Sequence, residues 1–223
     1  MFSVIFEVHP RTEQWDSYLG IAATLRPDLE KVDGFVDNIR YRSLTREGWI
    51  LSLSSWRDEK SVVRWRTQAP HHGAQEKGRT EIFLDYHLRV GQVTKDTNVP
   101  QGFELHEQRL DETEAGEATT VILINGRLDS DLSKNTKPED VAKNLGLRSK
   151  PEGLVNWDVF DAVLTPGDVI LLSSWRTQLQ AEIFENSVSP QAGSRLRRVR
   201  IVRDYGMYDR REAPQYFPDI AGM

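Results

Sequence analysis

The residues best suited to chemistry lie in the first third of the chain. His71 and His72 are adjacent, and an imidazole can take up or release a proton near neutral pH. Glu7 follows a short apolar run, where partial burial would raise its pKa and let the carboxylate accept a phenolic proton. Trp65 offers an indole ring on which a flat substrate could stack. Proton transfer, and stacking on a flat molecule, are the chemistry that these residue types allow.

Three further residues could bind such a substrate. Gln75 and Tyr86 carry hydrogen-bond donors that could stabilise a negative charge developing on it. In the second part of the chain, the residue that aligns with Glu7 is Gly126. The nearest polar residue is Asn125, one position earlier.

Each candidate also has a purely structural interpretation. Glu7 could form a salt bridge at the end of a strand, and Trp65 could fill a core. His72 could lie on the surface of a Pro-rich turn, and Asn125 could form a turn.

The elements that must position these residues occur twice. The segment 34–57 returns as 153–176, a shift of 119 residues without a gap. Both copies end in the block SSWR, at Arg57 and at Arg176. A duplication on this scale predicts two similar units of about 110 residues each.

The hydrophobic pattern of each copy predicts the order β-α-β-β-α-β. In the first copy, period-two alternation predicts a strand over 2–8, and helical spacing predicts a helix over 12–26 that Pro27 breaks or kinks. Later elements of this copy are predicted as strands at 35–45 and 48–56, a helix at 59–67 after the capping residue Asp58, and a strand at 80–93. Pro70 is expected to end the second helix, so that 71–75 form a turn.

The composition excludes several classes of function. A net charge of −5 argues against nucleic acid as a partner, and no stretch approaches the roughly 20 apolar residues of a membrane helix. The chain has no Cys, which rules out disulfides and thiolate chemistry and fits a reducing cytoplasm. Its start lacks the basic leader of a signal peptide.

A β-α-β-β-α-β unit is ferredoxin-like, with two helices on one face of a four-stranded sheet and an apolar face left uncovered. We therefore predict an α+β fold in which two tandem ferredoxin-like domains, 1–93 and 119–223, pack sheet to sheet as an intramolecular pseudo-dimeric α/β barrel. Residues 94–118 would form the linker, with an extra strand over 103–110. If the linker is too stiff for this, two chains would pair as a homodimer.

The most specific pattern runs from Ser54 to Val90. A Trp ends the third strand, an acidic helix start follows, and then come W-R, P-H, A-Q-x-x-G-R and a strand with D-Y-x-x-R-V. This pattern resembles the antibiotic biosynthesis monooxygenase family of dimeric α/β barrels. It covers the first copy almost entirely, whereas the second copy matches only through SSWR and the D-Y strand.

The resemblance implies a ligand pocket between helices and sheet, and oxidation of small aromatic or quinol-type substrates by dioxygen without a cofactor. It gives Glu7 a pocket-facing position on the first strand and His72 the position of the helix-turn His, so these are the predicted catalytic residues. The predicted substrate-binding residues are Trp65, Gln75, Tyr86 and Asn125.

Two alternatives remain. One is a non-catalytic protein of the same fold that binds a small molecule. The other is haem degradation, because some relatives use haem as cofactor and substrate, with a strand Asn, a helix Trp and a proximal His. Here Trp65 matches, but Glu7 replaces the Asn and Gln75 replaces the His. The sequence therefore favours a reaction without cofactor or metal.

Overall fold

The computed structural model describes residues 1–128, 136–188 and 193–217. The first half contains β1 (Phe2–Pro10), α1 (Trp15–Leu29), β2 (Phe35–Ser43), β3 (Ile50–Trp56), α2 (Glu59–Arg66), α3 (Ala69–Lys77) and β4 (Phe83–Asp96). The second half contains β5 (Thr120–Arg127), α4 (Pro138–Asn144), β6 (Leu154–Ala162), β7 (Asp168–Trp175), α5 (Gln178–Ser187) and β8 (Arg195–Gly206). The predicted α+β class is confirmed. None of the described helices is long and apolar enough to cross a membrane.

The eight strands of the described residues form one closed antiparallel barrel in the order β1-β3-β2-β6-β7-β5-β8-β4. The first half contributes the run β4-β1-β3-β2, and the second half contributes β8-β5-β7-β6. The runs join where β2 pairs with β6 and where β4 pairs with β8. Closure leaves no sheet edge open to another chain.

The barrel interior holds an apolar core to which both halves contribute. Side chains alternate along each strand, so Ile5 of β1 points inward while its neighbour Phe6 points outward. Ile5 and Leu53 of the first half meet Leu123 and Leu172 of the second half, and all four are buried. An eight-stranded barrel is just wide enough to be filled by side chains in this way.

One end of the interior is polar and carries ion pairs that join the two halves. Glu7 accepts hydrogen bonds from Arg46 and Arg89. Arg46 also pairs with Asp158 at 2.7 Å, and Arg89 Nη1 donates to Ser174 Oγ at 2.8 Å. Burial by itself would raise the pKa of Glu7, but the charges of Arg89 and Arg46 outweigh it, so the pKa lies below its usual value.

Local signals explain where several helices begin and end. Asp58 accepts the Ser61 N–H at 2.8 Å, as the sequence predicted for this N-cap. Thr177 accepts the Gln180 N–H at 3.3 Å at the start of α5. Gly146 follows α4 with a φ of 106°, the left-handed conformation that favours glycine after a helix.

Two proline predictions are wrong. Helix α1 continues through Pro27 to Leu29, because a proline in the last turn removes only one hydrogen bond near the helix end. Pro70 begins α3 instead of ending α2, since backbone N–H groups in a first turn have no helical partner to lose. Residues 71–75 therefore lie on a helix, not in a turn.

The strand predicted over 103–110 is also wrong, because this segment has no regular secondary structure. The backbone N–H groups of Gln108 and Arg109 donate to Gln92 Oε1, at 2.6 and 2.8 Å. A buried side chain therefore satisfies these donors in place of a neighbouring strand.

Breaking the interior ion pairs should destabilise the barrel. We expect Arg89→Met to lower the free energy of unfolding by about 3–5 kcal/mol, because Glu7 would stay buried with one cation fewer. The double variant Glu7→Gln/Arg89→Met should lose less than the sum of the two single losses. Urea denaturation of all three variants measures the coupling, and losses that add within about 0.5 kcal/mol would show that the pair is not coupled.

Candidate active site

A cavity of about 220 Å³ lies between the outer face of the first-half sheet and helices α1, α2 and α3. Outward side chains of β2, β3, β1 and β4 form its floor, and the strand register sets them in two rows. From β2 to β4, one row is Asn38, Ser54, Val4 and Val90, and the other is Arg40, Ser52, Phe6 and Leu88. The floor is therefore polar beside β2 and apolar in its middle.

The floor becomes polar again beside β4 and β8. Tyr86 lies two residues before Leu88 on β4, so both side chains are on the same face of the strand. On the neighbouring strand β8, Tyr205 pairs with Leu88, and Arg203 pairs with Val90. Burial raises the pKa of Tyr205 to about 12, so this phenol is neutral at physiological pH.

The roof of the cavity is helical. Helices α1 and α2 contribute mainly apolar side chains: Ile21, Ala22, Leu25, Val62, Val63 and Trp65. Helix α3 contributes His71, Ala74 and Gln75, which lie on one face because residues three and four apart coincide on a helix. His72 is exposed, since it points away from that face.

Trp65 and His71 form a stacked pair in the roof. Their ring centroids are 4.3 Å apart, and their planes differ by 18°. His71 Nδ1 lies 3.0 Å from the carbonyl oxygen of Trp65. A carbonyl oxygen only accepts hydrogen bonds, so Nδ1 carries the proton and Nε2 remains an acceptor in the neutral ring. Burial lowers the pKa of His71 to about 4, which keeps the ring neutral at pH 7.

Arg79, Tyr86 and Arg210 form what we call the arginine–tyrosine cluster. Arg79 Nη1 and Arg210 Nη1 both donate to Tyr86 Oη, at 2.8 and 2.5 Å. These bonds use both lone pairs of the phenol oxygen, so its own O–H remains to donate to another group. Burial lowers the pKa of Arg210, and the nearby charge of Arg79 lowers it further. An anion in the cavity would relieve that repulsion.

The C-terminal segment, residues 207–217, closes the cavity from the second half of the chain. Gln215 Nε2 donates to Gln75 Oε1 at 2.7 Å. The ring of Phe217 lies 5.5 Å from the guanidinium carbon of Arg79 and 5.6 Å from that of Arg210. The cavity beneath the first-half helices is therefore completed by residues that follow β8.

The structure brings three of the predicted site residues together: Trp65, Gln75 and Tyr86 all line the cavity. The predicted catalytic residues do not join them. His72 lies outside, where it stacks on Phe217 with ring centroids 5.4 Å apart.

Glu7 and Asn125 point into the barrel interior. Val4 and Phe6 occupy the cavity-facing positions of β1, so alternation turns Glu7 to the opposite face. Asn125 Nδ2 donates to Tyr41 Oη at 3.2 Å, and its Oδ1 accepts from Arg197 at 2.8 Å. The prediction that both lie beside the substrate does not fit this geometry.

The corresponding space in the second half is filled by side chains. Phe184, the counterpart of Trp65, stacks on Trp175 with ring centroids 4.7 Å apart, and both rings are buried. Val141 of α4 and Ala181 of α5 complete the packing.

Several residues of the cavity were not found from the sequence. His71 could have been found if α3 had been predicted as a helix, because it shares the spacing of Ala74 and Gln75. No local signal marks Arg40 or Arg210. Arg40 reaches the cavity because of the strand register of β2, and Arg210 reaches it because the C-terminal segment folds back over the first half.

The described residues offer few ligands for a metal ion or a haem iron. Within residues 1–128, 136–188 and 193–217, no group of three or more His, Asp or Glu side chains could hold a metal ion. Haem would need an axial ligand facing the cavity, and His71 is the histidine among the described residues that line it.

The described residues form an α+β barrel with a cavity beneath the helices of the first half. A family model described as antibiotic biosynthesis monooxygenase matches residues 1–77. A protein of Pyricularia oryzae named jasmonate monooxygenase ABM is 52% identical over 223 residues, covering 98% of this chain and 99% of that protein. The chain belongs to the antibiotic biosynthesis monooxygenase family, as the pattern in 54–90 indicated.

Solved structures with the same fold include two of aldoxime dehydratase. One, in complex with butyraldoxime, has a TM-score of 0.56 at 12% identity and covers 90% of this chain and 79% of its own. The other has a TM-score of 0.50 at 10% identity, and the match covers 90% of this chain and 80% of the dehydratase chain. Identity this low shows a shared fold alone.

The two adjacent histidines should respond differently to acid. As pH falls from 6.5 towards 4, the unfolded chain takes up a proton at His71 that the folded chain does not, so the wild type loses stability. We expect His71→Asn to remove this part of the acid sensitivity and His72→Asn to retain it. Urea midpoints at pH 7 and pH 5 measure the difference, and equal acid losses in both variants would contradict the burial of a neutral His71.

Proposed function

We propose that this protein is a monooxygenase that oxidises a small, largely apolar carboxylate in the cavity of the first half. The observation that carries the proposal is the arginine–tyrosine cluster, in which two guanidinium groups share one phenol oxygen at the side of an apolar cavity. Jasmonate, which the Pyricularia oryzae relative is named for, is a compact carboxylate with an apolar body. Such a molecule matches both features of the cavity.

The electrostatics of the cavity favour an anion. Arginines from five positions line it: Arg40, Arg66, Arg79, Arg203 and Arg210. Glu59 is the carboxylate among the lining residues, and it pairs with Arg109 at 2.8 Å. A bound carboxylate would offset the cost of burying these cations.

The second half, in this proposal, supports the site without containing one. We interpret the barrel as an intramolecular pseudo-dimer of two ferredoxin-like halves, because both halves share one strand order and the repeat of 119 residues. Phe184 and Trp175 fill the second pocket, and the C-terminal segment covers the first.

The oxygen chemistry can balance in two ways. Conversion of a C–H bond to C–OH by O₂ yields one water and needs two electrons and two protons from a donor. Conversion of an activated CH₂ group to C=O yields one water as well, but the substrate supplies all four electrons. We propose the second reaction, which needs no cofactor and so agrees with the cofactor-independent oxidation that the sequence predicted. The apolar walls would exclude water from the reduced oxygen, and Nε2 of neutral His71 would accept a proton that leaves the activated CH₂ group.

Incubation with ¹⁸O₂ tests this function. The substrates are jasmonate and, for the aromatic class that the stacked Trp65–His71 pair would also suit, a hydroquinone. One labelled oxygen in the product without an added electron donor supports the proposal. A labelled product formed only with a donor, or only after haem is added, overturns cofactor independence. Substrate that binds and is recovered unchanged overturns the monooxygenase and indicates a binding protein.

Arg210 and its neighbour Arg211 form a matched pair for turnover. We expect Arg210→Met to lower kcat/KM roughly ten- to hundredfold, because one charged hydrogen bond to the substrate would be lost. Arg211 is exposed and pairs with Asp209 at 2.6 Å, so Arg211→Met should leave kcat/KM within about twofold. Equal effects of the two substitutions would remove the cluster from substrate binding.

A further inference from the structure

The cavity floor has two polar sides with an apolar strip between them. On the β2 side, Asn38 and Arg40 lie beside Ser52 and Ser54 of β3. The middle of the floor is apolar across β1 and β4. The arginine–tyrosine cluster lies beyond it, where β4 meets β8. A ligand that spans this floor meets hydrogen-bond donors at both ends.

Arg40 has an unused donor in this arrangement. Its Nε is buried and has no hydrogen-bond partner within the described part of the chain. Tyr18 lies near its guanidinium group, and burial raises the pKa of that phenol, so Tyr18 does not supply a compensating negative charge. The guanidinium group lines the cavity, and no ion pair joins it to a carboxylate among the described residues, which makes a ligand oxygen a favourable acceptor.

The two ends are far enough apart to need separate ligand groups. Arg40 is on β2 and Tyr86 is on β4, which are separated by β3 and β1. Three strand spacings of about 4.8 Å place their backbones roughly 14 Å apart. Both side chains project over the floor, so the ligand itself spans less than this distance.

The charges suggest which ligand group each end receives. The cluster combines two guanidinium groups with the O–H of Tyr86, which suits a carboxylate with several acceptor positions. The β2 side offers one guanidinium group, that of Arg40, which suits one uncharged oxygen. Asn38 lies next to it, with its Nδ2 donating to Ser52 Oγ at 3.0 Å.

We propose that the substrate carries a second oxygen function, a carbonyl or hydroxyl, and that Arg40 binds it while the arginine–tyrosine cluster binds the carboxylate. This inference rests on the proposed function, since it names the chemistry at both ends of the same substrate. Arg40 then determines specificity, because an acid without the second oxygen leaves this guanidinium group without an acceptor.

A binding experiment without oxygen tests the two ends separately. Calorimetry under nitrogen uses three probes: jasmonate, its methyl ester, and the analogue in which a CH₂ group replaces the ring carbonyl. The proteins are wild type, Arg40→Met, Arg210→Met and the control Arg42→Met. Arg42 is two residues along the same strand and is exposed, so it does not line the cavity. Thermal unfolding confirms that each variant is folded.

The expected result is a crossed pattern. Arg40→Met should weaken jasmonate and its methyl ester about tenfold and leave the carbonyl-free analogue unchanged. Arg210→Met should weaken jasmonate and the carbonyl-free analogue about tenfold and leave the methyl ester unchanged. Arg42→Met should change none of the three.

Other patterns overturn the inference. Equal weakening of all three probes by Arg40→Met would indicate a structural role, and no weakening would remove Arg40 from the site. If instead Arg40→Met spared only the methyl ester and Arg210→Met spared only the carbonyl-free analogue, the carboxylate would lie at Arg40. Failure of wild type to bind any probe overturns the carboxylate class and this inference with it. The crossed pattern without oxygen consumption in the ¹⁸O₂ experiment would uphold the two-ended site and overturn the monooxygenase.

Discussion

Alternation of side chains on a closed barrel is the constraint on which the rest of this structure depends. Every strand must direct one set of side chains into the interior and the other outward. On β1, Ile5 and Glu7 point inward, whereas Val4 and Phe6 form part of the cavity floor. A shift of one residue in this strand would exchange the ion pairs of the interior with the apolar floor. The register therefore fixes the core and the candidate site together.

The interior ion pairs also make the two halves dependent on each other. Arg46 links Glu7 of the first half to Asp158 of the second half, and both carboxylates are buried. Charges buried in this way are tolerated only when their partners are in place, so neither half is electrostatically complete alone. The site shows the same dependence, because the C-terminal segment contributes Arg210 to a cavity roofed by first-half helices.

The duplication has produced two unlike halves. Both keep the tryptophan at the end of the third strand of the repeat, and each indole N–H donates to a serine two residues earlier: Trp56 to Ser54, and Trp175 to Ser173. Near this shared feature the halves differ. Phe184 packs face to face on Trp175, whereas Trp65 stacks on His71 and leaves an open cavity beside Trp56. Packing in one half and binding in the other are two uses of the same scaffold.

The sequence by itself determined the repeat, the α+β class, the order of strands and helices apart from α3, the family, and three cavity residues, Trp65, Gln75 and Tyr86. These follow from local periodicity and from a motif that is continuous along the chain. Tertiary structure alone decided that Glu7 faces the interior, because the face of a strand depends on which sheet surface the other half covers. It also placed Arg210 against Tyr86, a contact between residues 124 positions apart that no local pattern encodes. His71 lies between these cases. Its helical spacing from Ala74 and Gln75 is present in the sequence, but Pro70 could either end α2 or begin α3, and only the structure shows that it begins α3.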